Sequence, residues 1–385
     1  MKVMFYVQHL LGIGHLVRAS RIATALADAG HDVTVVSGGM PVSGFPPSGV
    51  ALQQLTPLRS ADGSFSNLVD ETGAPVDDDL RDSRRRQLMA IHDKLRPDCL
   101  VIEAYPFARR QMRFELVPLL EHVHEGSRSS RAMVVSSVRD ILQPKSPERD
   151  KATAGTVQRH FDLVLVHGDE TFAGFGETFS ETQAISQKLA YTGIVAPPLR
   201  QPVAGADSHY DVVVSAGGGA VGTALLKAAI GARELTELAS ARWLVVTGPN
   251  LPDEAFEALK REAGPSVTLS RFEPDLAGLI AASRVSVSQA GYNTVADVLR
   301  AGCASVLVPF EGKGEQEQLL RAGRLDAAGR AVMLREGALD AATLAQAIGR
   351  ALDLDLALAP AVNLDGAANS AALLVSRHDA FRREL

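Results

Sequence analysis

Two short glycine-rich turns are the features of this sequence that point most directly to chemistry. The first contains Gly12 and Gly14, the second is Gly217-Gly218-Gly219, and each follows an apolar strand-like run. A strand that ends in glycines and opens a helix exposes backbone N–H groups at the positive end of the helix dipole, where a phosphate or a sugar can bind. Two such turns, about two hundred residues apart, predict two Rossmann-like domains that face each other across a cleft.

The first turn does not fit a dinucleotide fingerprint. That fingerprint needs a third glycine, where this chain has Val17, and a carboxylate at the end of the second strand, where it has Ser37. Nicotinamide or flavin binding is therefore disfavoured, and no cofactor is expected.

Ionisable side chains at the ends of predicted strands in the first half are candidates for proton transfer. They are His15, Glu103 and Asp140, with His167 as a weaker one. His15 lies in the first turn of a helix, whose dipole lowers an imidazole pKa, so it is either a general base or a helix cap. Glu103 ends an apolar strand, where burial predicts a raised pKa suited to a base; the alternative is an ion pair with Arg109, Arg110 or Arg139.

In the second half, a polar block from Ser288 to Asp297 follows a predicted strand. Gly291 would permit close approach of a ligand, and Asn293 or Thr294 would cap the next helix. Asp297 is placed to accept both hydroxyls of a ribose; its alternative role is that of an acid stabilising the start of a helix.

A second polar block, from Pro309 to Gln318, opens a further helix with Lys313, Gln316 and Glu317. Side chains that form bidentate hydrogen bonds at the mouth of a parallel sheet suit sugar hydroxyls. The alternative is an ordinary solvated helix start.

Strand-like runs alternate with helical patterns along the chain, which is typical of α/β proteins with parallel sheets. In the first half, strands are predicted at 2–7, 32–37, 51–55, 98–103, 131–136, 161–166 and 189–192. In the second half, they are predicted at 211–215, 242–247, 266–269, 284–288, 304–308 and 330–334. The segment 57–80 lacks periodicity and is predicted to be a mobile loop that orders on ligand binding.

These elements predict an N-terminal Rossmann-like domain over 1–195 and a C-terminal one over 211–362. The proline-rich segment 196–210 reads as the linker between them. The last segment, 363–385, is predicted to be a helix that crosses back to pack on the N-terminal domain.

Composition narrows the class of protein. The chain has 385 residues, enough for two domains, and a net charge of −6, which argues against nucleic-acid binding. The arginines at 84–86 and 109–113 are interpreted as solvated helix faces. The two cysteines suggest a reducing compartment, no Cys/His spacing suggests a metal, and no run is long enough for a membrane span, so a cytoplasmic protein is expected. Peripheral membrane contact remains open.

Three blocks of the second half, at 217–222, 288–297 and 309–317, resemble the donor-domain signatures of glycosyltransferase family 28 in order and spacing. The family patterns are a Gly-Gly-Ser-x-Gly-type loop, a Ser-x-x-Gly-x-x-Thr-x-x-Glu helix start and a Pro-Phe-x-x-Lys-x-x-Gln-Gln segment. The resemblance implies a GT-B fold: an N-terminal acceptor domain, a C-terminal domain that binds a nucleotide-sugar donor, and no required metal.

The resemblance also implies roles by position. Gly218 and Gly219 would approach the diphosphate, and the backbone at Phe272 would bind the base. Thr294 would lie near the phosphates and Asp297 would hold the ribose. The donor sugar would be held by Gln316 and Glu317. Two positions depart from the family pattern, because Asp297 replaces a glutamate and Glu317 replaces the second glutamine. A carboxylate only accepts hydrogen bonds, so Glu317 should prefer free sugar hydroxyls to an acetamido carbonyl.

The expected function is therefore that of an inverting, metal-independent glycosyltransferase that uses a nucleotide-diphosphate sugar, with UDP as the expected nucleotide. Its leaving group would be stabilised by amides of 217–219 and by Lys313. The alternatives are a nucleotide-sugar hydrolase or 2-epimerase of the same fold, or a non-catalytic nucleotide-sugar binding subunit. The sequence identifies neither the acceptor nor the oligomeric state.

Overall fold

The computed structural model describes residues 1–61, 67–126, 131–198, 209–218 and 222–383. The chain forms two compact units. The first contains Met1–Val195 together with Asp365–Leu385, and the second is Ala196–Leu364. Each unit is an α/β structure around its own parallel sheet.

The first unit has a seven-stranded sheet and a separate antiparallel pair. The strands in chain order are β1 (Lys2–Val7), β2 (Asp32–Ser37), β3 (Ala51–Gln54), β4 (Arg59–Ser60), β5 (Leu68–Val69), β6 (Cys99–Glu103), β7 (Met133–Arg139), β8 (Leu163–His167) and β9 (Leu189–Tyr191). The sheet order is β3-β2-β1-β6-β7-β8-β9, with all neighbours parallel. The order reverses between β1 and β6, and such a switch point leaves a crevice at the carboxyl ends of the two strands.

The first four helices follow from apolar spacing and caps. They are α1 (Gly14–Asp28), α2 (Asp78–Leu95), α3 (Arg113–Glu125) and α4 (Pro147–His160). In α1, the buried side chains of Leu16, Ala19 and Ile22 form one apolar face against the sheet. Asp77 caps α2 by accepting a hydrogen bond of 2.8 Å from the Leu80 amide.

The second unit repeats this plan with six parallel strands. They are β10 (Val212–Ser215), β11 (Trp243–Val246), β12 (Val267–Ser270), β13 (Val285–Ser288), β14 (Ala304–Leu307) and β15 (Val332–Met333). Their order, β12-β11-β10-β13-β14-β15, reverses between β10 and β13. The helices are α5 (Thr223–Ala232), α6 (Asp253–Ala263), α7 (Leu276–Ala281), α8 (Tyr292–Ala301), α9 (Glu317–Ala327) and α10 (Ala341–Leu352).

The last helix, α11 (Gly366–Arg383), belongs to the first unit and packs against α1. Leu374 of α11 is fully buried among the side chains of that core. The helix is also fixed at its start, where the Asn369 side chain donates a hydrogen bond of 2.8 Å to the Thr192 carbonyl.

Two expectations from the sequence are wrong in the first unit. The segment 57–80 contains the β4–β5 pair and the first turn of α2, and it buries Val69 and Val76, so the described part of it is built into the fold. Arg84 is not on a solvated face: it is fully buried and ion-paired with Glu115 at 2.8 Å.

Candidate functional site

The switch point of the first sheet brings together two of the candidate residues. His15 is the second residue of α1, just after β1, and Glu103 is the last residue of β6. Because β1 and β6 are parallel neighbours, their carboxyl ends lie at the same edge of the sheet. There the His15 Nδ1 atom lies 3.0 Å from the Glu103 Oε1 atom.

Glu103 is held as an anion. Its carboxylate is buried, with 1% of the residue exposed, and it accepts hydrogen bonds from Arg18 at Oε1 and from Ser137 Oγ at Oε2, the latter at 2.6 Å. Burial by itself would raise the pKa of Glu103, but the charge of Arg18 and the hydrogen bond from His15 outweigh it and lower the pKa to about 2. The expected raised pKa is therefore wrong, and the ion pair forms with Arg18.

His15 is neutral at physiological pH. Burial, followed by the nearby charge of Arg109, lowers its pKa to about 3. The direction agrees with the sequence expectation, but the main cause is burial rather than the helix dipole. The Nδ1 atom of His15 lies 3.0 Å from Glu103 Oε1 and 3.3 Å from the Arg18 guanidinium. Because the closer partner is an ionised carboxylate that can only accept, we place the proton on Nδ1, which leaves the lone pair on Nε2.

The Nε2 atom of His15 is available for a substrate. Within the described part of the chain, no hydrogen bond reaches this atom, and 17% of the His15 side chain is exposed. An imidazole held by a carboxylate at Nδ1 and open at Nε2 has the arrangement of a general base.

The segment after Glu103 adopts a backbone conformation that is rare outside glycine. Ala104 has φ 66° and Arg109 has φ 59°. The amide of Ala104 donates a 2.7 Å hydrogen bond to the Ser137 carbonyl, and the Arg109 side chain donates a 2.9 Å bond from Nε to the Gln8 carbonyl. Such strained positions cluster at functional sites, which adds to the case for this edge of the sheet.

The other candidates of the first unit have less direct placements. Asp140 follows β7, is buried, and accepts a 2.8 Å hydrogen bond from the Ile141 amide; it is not a hydrogen-bond partner of His15. Gly12 lies in the turn before α1, where a Cβ would meet nothing within 4 Å, so packing does not require a glycine there. Gly14 is the first residue of α1.

The switch point of the second sheet contains the second glycine turn. Gly217 has φ 62°, which favours glycine, and Gly222 is the N-cap of α5, where a Cβ would overlap the Cβ of Ala216. Gly218 lies between them, and a Cβ there would be 3.8 Å from Asn250 Nδ2. Gly219 lies outside the described residues.

The block after β13 opens α8 at the same edge of that sheet. The N-cap is Gly291, and no side chain caps the helix, so the expected cap by Asn293 or Thr294 is wrong; both residues lie in the first turn. Asp297 is the sixth residue of α8, beyond the first turn.

The block after β14 is tied to the one after β13. Glu317 is buried and forms an ion pair of 2.9 Å with Arg321, one turn further along α9. Gln318, the last residue of the polar block predicted to bind sugar hydroxyls, accepts hydrogen bonds from the amides of Ala290 at 3.1 Å and Phe310 at 3.2 Å. The i, i+4 spacing of Glu317 and Arg321 in the sequence could have indicated that Glu317 forms an ion pair within its own helix.

The remaining donor-site candidates are spread around this edge of the second unit. Gln316 is the N-cap of α9, and Phe272, between β12 and α7, is 63% exposed. The Lys313 side chain lies outside the described part of the structure.

Within the described ranges of the chain, one group of side chains has atoms close enough to hold a metal ion. His92, Asp93 and His122, on α2 and α3, bring one ligand atom each within 4.8 Å of one another. Asp93 Oδ1 is already hydrogen-bonded to His122 Nε2 at 2.7 Å and lies 3.3 Å from His92 Nδ1. These bonds involve one nitrogen of each ring, and the other nitrogen of His92, Nε2, is buried with no hydrogen-bond partner among the described residues.

The fold is shared with known sugar-transferring enzymes. A crystal structure of a calicheamicin glycosyltransferase matches 99% of this chain and 96% of its own, with a TM-score of 0.59 and 16% sequence identity. The structure of MurG from Acinetobacter baumannii matches 98% of this chain and 100% of its own, with a TM-score of 0.60 and 14% identity. The protein has the GT-B fold.

The second unit can be placed more closely. Residues 212–373 match the glycosyltransferase family 28 C-terminal domain. Two curated relatives bear the name UDP-N-acetylglucosamine–N-acetylmuramyl-(pentapeptide) pyrophosphoryl-undecaprenol N-acetylglucosamine transferase. The one from Rhodopseudomonas palustris is 38% identical over 80 residues, 21% of each chain. The one from an Exiguobacterium species is 31% identical over 100 residues, 26% of this chain and 28% of that one.

The chain thus spans between 21% and 28% of the length of these curated relatives, and its match to the glycosyltransferase family 28 C-terminal domain is confined to residues 212–373. Among the described residues, no helix combines the length and the apolar character needed to cross a bilayer.

Proposed function

We propose that this protein is an inverting, metal-independent glycosyltransferase that moves a sugar from a nucleotide-diphosphate donor, UDP in the first instance, to an acceptor hydroxyl. The observation that carries the proposal is the His15–Glu103 pair at the first switch point, with Nε2 of His15 open. The first unit would supply the base and the acceptor site. The second unit, which matches the family 28 domain, would bind the donor.

The proposed reaction uses His15 as the general base. Nε2 takes the proton of the acceptor hydroxyl while the oxygen attacks the anomeric carbon. The bond from that carbon to the diphosphate oxygen breaks, the electron pair leaves with the nucleotide diphosphate, and the configuration inverts. Glu103, which accepts from Nδ1 of the same ring, stabilises the imidazolium that forms.

A pKa of about 3 keeps His15 unprotonated at neutral pH but makes it a weak base. A negatively charged substrate next to an imidazole favours its protonated form. We therefore expect the pKa of His15 to rise in the substrate complex, which would bring it closer to the working pH.

The donor would bind at the second switch point. The amides of the turn from Gly217 and the start of α5 would accept the diphosphate and its leaving-group charge, with Lys313 as a further cation. Asp297 would hold the ribose, Phe272 would lie at the base, and the α8 turn with Gly291, Asn293 and Thr294 would approach the phosphates. Gln316 would bind the sugar, and so would Glu317 if it releases Arg321.

Two further elements of the proposal concern the surroundings. The two cysteines are free thiols, which supports a cytoplasmic location. Contact with a membrane surface would depend on the acceptor.

The donor assignment is tested by binding. Thermal-shift measurements with UDP, GDP, TDP, CMP and NAD, followed by their sugar conjugates, should show stabilisation by UDP that increases with one UDP-sugar. Asp297→Ala should weaken that binding by about 1–3 kcal/mol in calorimetry, and Asp353→Ala, which removes an exposed acid from the same unit, should not. No response to any nucleotide would refute the transferase assignment.

The base is tested by turnover. His15→Ala should lower kcat by about 10²–10⁴-fold and leave the donor Kd near wild type, whereas His31→Ala, beyond the other end of α1, should change neither. An unaffected kcat in His15→Ala would reduce His15 to a structural residue. Release of free sugar without an acceptor, inversion at C2, or donor binding without any turnover would favour the hydrolase, the epimerase or the binding subunit.

A further inference from the structure

A chain of buried hydrogen bonds continues from Glu103 into the sheet. Ser137 Oγ lies 2.6 Å from Glu103 Oε2 and 2.8 Å from His167 Nε2. His167 Nδ1 lies 3.0 Å from Thr192 Oγ1. The chain crosses from the end of β6 through β7 and β8 to the residue after β9, and Ser137 and His167 are fully buried.

The ionised carboxylate fixes the direction of the first two bonds in this chain. Glu103 can only accept, so the single hydroxyl proton of Ser137 points to Oε2. Ser137 must then accept from an Nε2–H of His167. The Nδ1 atom of that neutral ring is left as an acceptor, and the single proton of the Thr192 hydroxyl is shared between this atom and the Gly193 carbonyl, which lies 2.9 Å from Thr192 Oγ1. Burial keeps the His167 ring neutral, with a pKa of about 3, which agrees with this assignment.

The geometry points to Ser137 and His167 as positioning residues that fix the Glu103 carboxylate so that Oε1 faces Nδ1 of His15. The inference rests on the proposed function insofar as it concerns turnover. Ser137 contacts the carboxylate at Oε2 and His167 contacts Ser137, so both would influence His15 through Glu103.

The competing orientation of the carboxylate shows why such fixing is needed. Arg18 donates to Oε1 and is itself buried beside Glu103. A guanidinium pairs best with both oxygens of a carboxylate at once. Without the Ser137 bond at Oε2, the carboxylate can turn both oxygens toward Arg18, and His15 loses the acceptor that holds its proton on Nδ1.

The first test uses a readout that does not depend on any substrate. Nitrogen-15 NMR of histidine-labelled protein reports the tautomer of His15, whose signals are assigned with a His15→Gln variant. Wild type should show Nδ1–H alone, and Ser137→Ala should add a clear Nε2–H population. Ser136→Ala is the matched control, because Ser136 is an equally buried serine of β7 whose hydroxyl donates 2.8 Å to the Tyr105 carbonyl instead; it should match wild type.

The second test separates turnover from donor binding. With the donor identified, Ser137→Ala should lower kcat about tenfold and leave the donor Kd unchanged. If Ser137→Ala does not fold, His167→Gln, which keeps a donor at the position of Nε2, should retain the wild-type tautomer of His15, and His167→Leu should not.

The outcomes are distinguishable. The same His15 tautomer in Ser137→Ala and Ser136→Ala, or in His167→Gln and His167→Leu, overturns the inference. If the tautomer shifts as expected but no donor is ever turned over, the positioning of His15 stands and the transferase function fails.

Discussion

At the scale of single residues, the first switch point is governed by which groups are charged. The side chains of His15, Arg18 and Glu103 lie within hydrogen-bond distance of one another, and only the last two are ionised at neutral pH. The arginine neutralises the carboxylate, and the imidazole remains a neutral acceptor. On taking up a proton the trio would carry a net charge of +1, so the protonated form of His15 needs a negatively charged group of the substrate beside it.

This distribution of charge predicts how stability depends on pH. His15 and His167 have a pKa of about 3 in the folded protein, against 6.5 as the ordinary value. Between these values the unfolded chain binds more protons than the folded one, so the free energy of unfolding should fall as the pH decreases from 6.5. Each imidazole contributes about 1.4 kcal/mol per pH unit. Glu103 adds a loss in the same direction between 4.5 and about 2.

The variant His167→Gln isolates one of these groups. Urea unfolding at pH 8 gives the cost of the substitution itself. Between pH 6 and pH 4, the variant should lose stability less steeply than wild type, by about 1.4 kcal/mol per pH unit. Equal slopes would mean that His167 is protonated in the folded state.

Single residues also mark the limit of sequence reasoning here. His15 and Glu103 could be found because each follows a recognisable strand. Arg18 and Arg84 could not, because an arginine within a helical pattern is usually solvated and nothing local indicates a buried carboxylate 85 or 31 residues away. The direction predicted for the pKa shift of Glu103 was wrong for the same reason, because the sequence did not indicate that Arg18 would lie beside it.

At the scale of elements, two glycines at helix starts have different reasons to be glycine. Both Gly222 and Gly291 are N-caps, but a Cβ at 222 would overlap Ala216, and at 291 it would meet nothing within 4 Å. Gly222→Ala should therefore destabilise the second unit by about 1–3 kcal/mol. Gly291→Ala should cost under about 1 kcal/mol.

Denaturant unfolding of both variants checks this prediction, and donor binding adds a second reading. If Gly291 approaches the donor, Gly291→Ala should weaken donor binding with its stability nearly intact. Equal losses of stability in the two variants would contradict the packing argument.

Helix α2 supplies a second contrast, between adjacent arginines. Arg84 makes two hydrogen bonds to Glu115, of 2.8 and 2.9 Å, and both side chains are fully buried. Arg84→Ala would leave the Glu115 carboxylate buried without its ion-pair partner, with the Tyr6 hydroxyl still donating to it, and should cost about 3–5 kcal/mol. Arg85, whose side chain is 40% exposed in a pair with Asp82, should cost under about 0.5 kcal/mol when changed to alanine. Thermal or urea unfolding of the two variants measures these losses of stability, and similar losses in both would contradict the prediction.

The strands were the most predictable elements. Buried parallel strands are continuous apolar runs, and the strands from β6 to β8 lie within three residues of their predicted limits. The β4–β5 pair was missed because two-residue strands carry no periodicity. The start of α8 was misplaced because a glycine cap leaves no side-chain signal.

At the scale of the whole molecule, the first unit is discontinuous in sequence, since α11 completes its core. Leu374→Ala should cost about 2–5 kcal/mol in that unit. Leu358→Ala, at a position 83% exposed in the second unit, should cost almost nothing.

Hydrogen exchange can assign that loss to a unit. In Leu374→Ala, the amides of β1 should exchange faster, while those of β10 should keep more of their protection. The single tryptophan, Trp243, is buried in the second unit, so its fluorescence reports the unfolding of that unit separately. A larger loss at β10 than at β1 would contradict the role of α11.

The position of α11 also sets an order of events during synthesis on the ribosome. Multidomain chains generally fold their N-terminal domain first, as it emerges. Here the first unit still lacks a helix when residue 364 has been translated, whereas the second unit is then complete. The strands of the first unit are translated first, but they would lack the packing of α11 until that helix has been made. The second unit would therefore complete its folding before the first unit does.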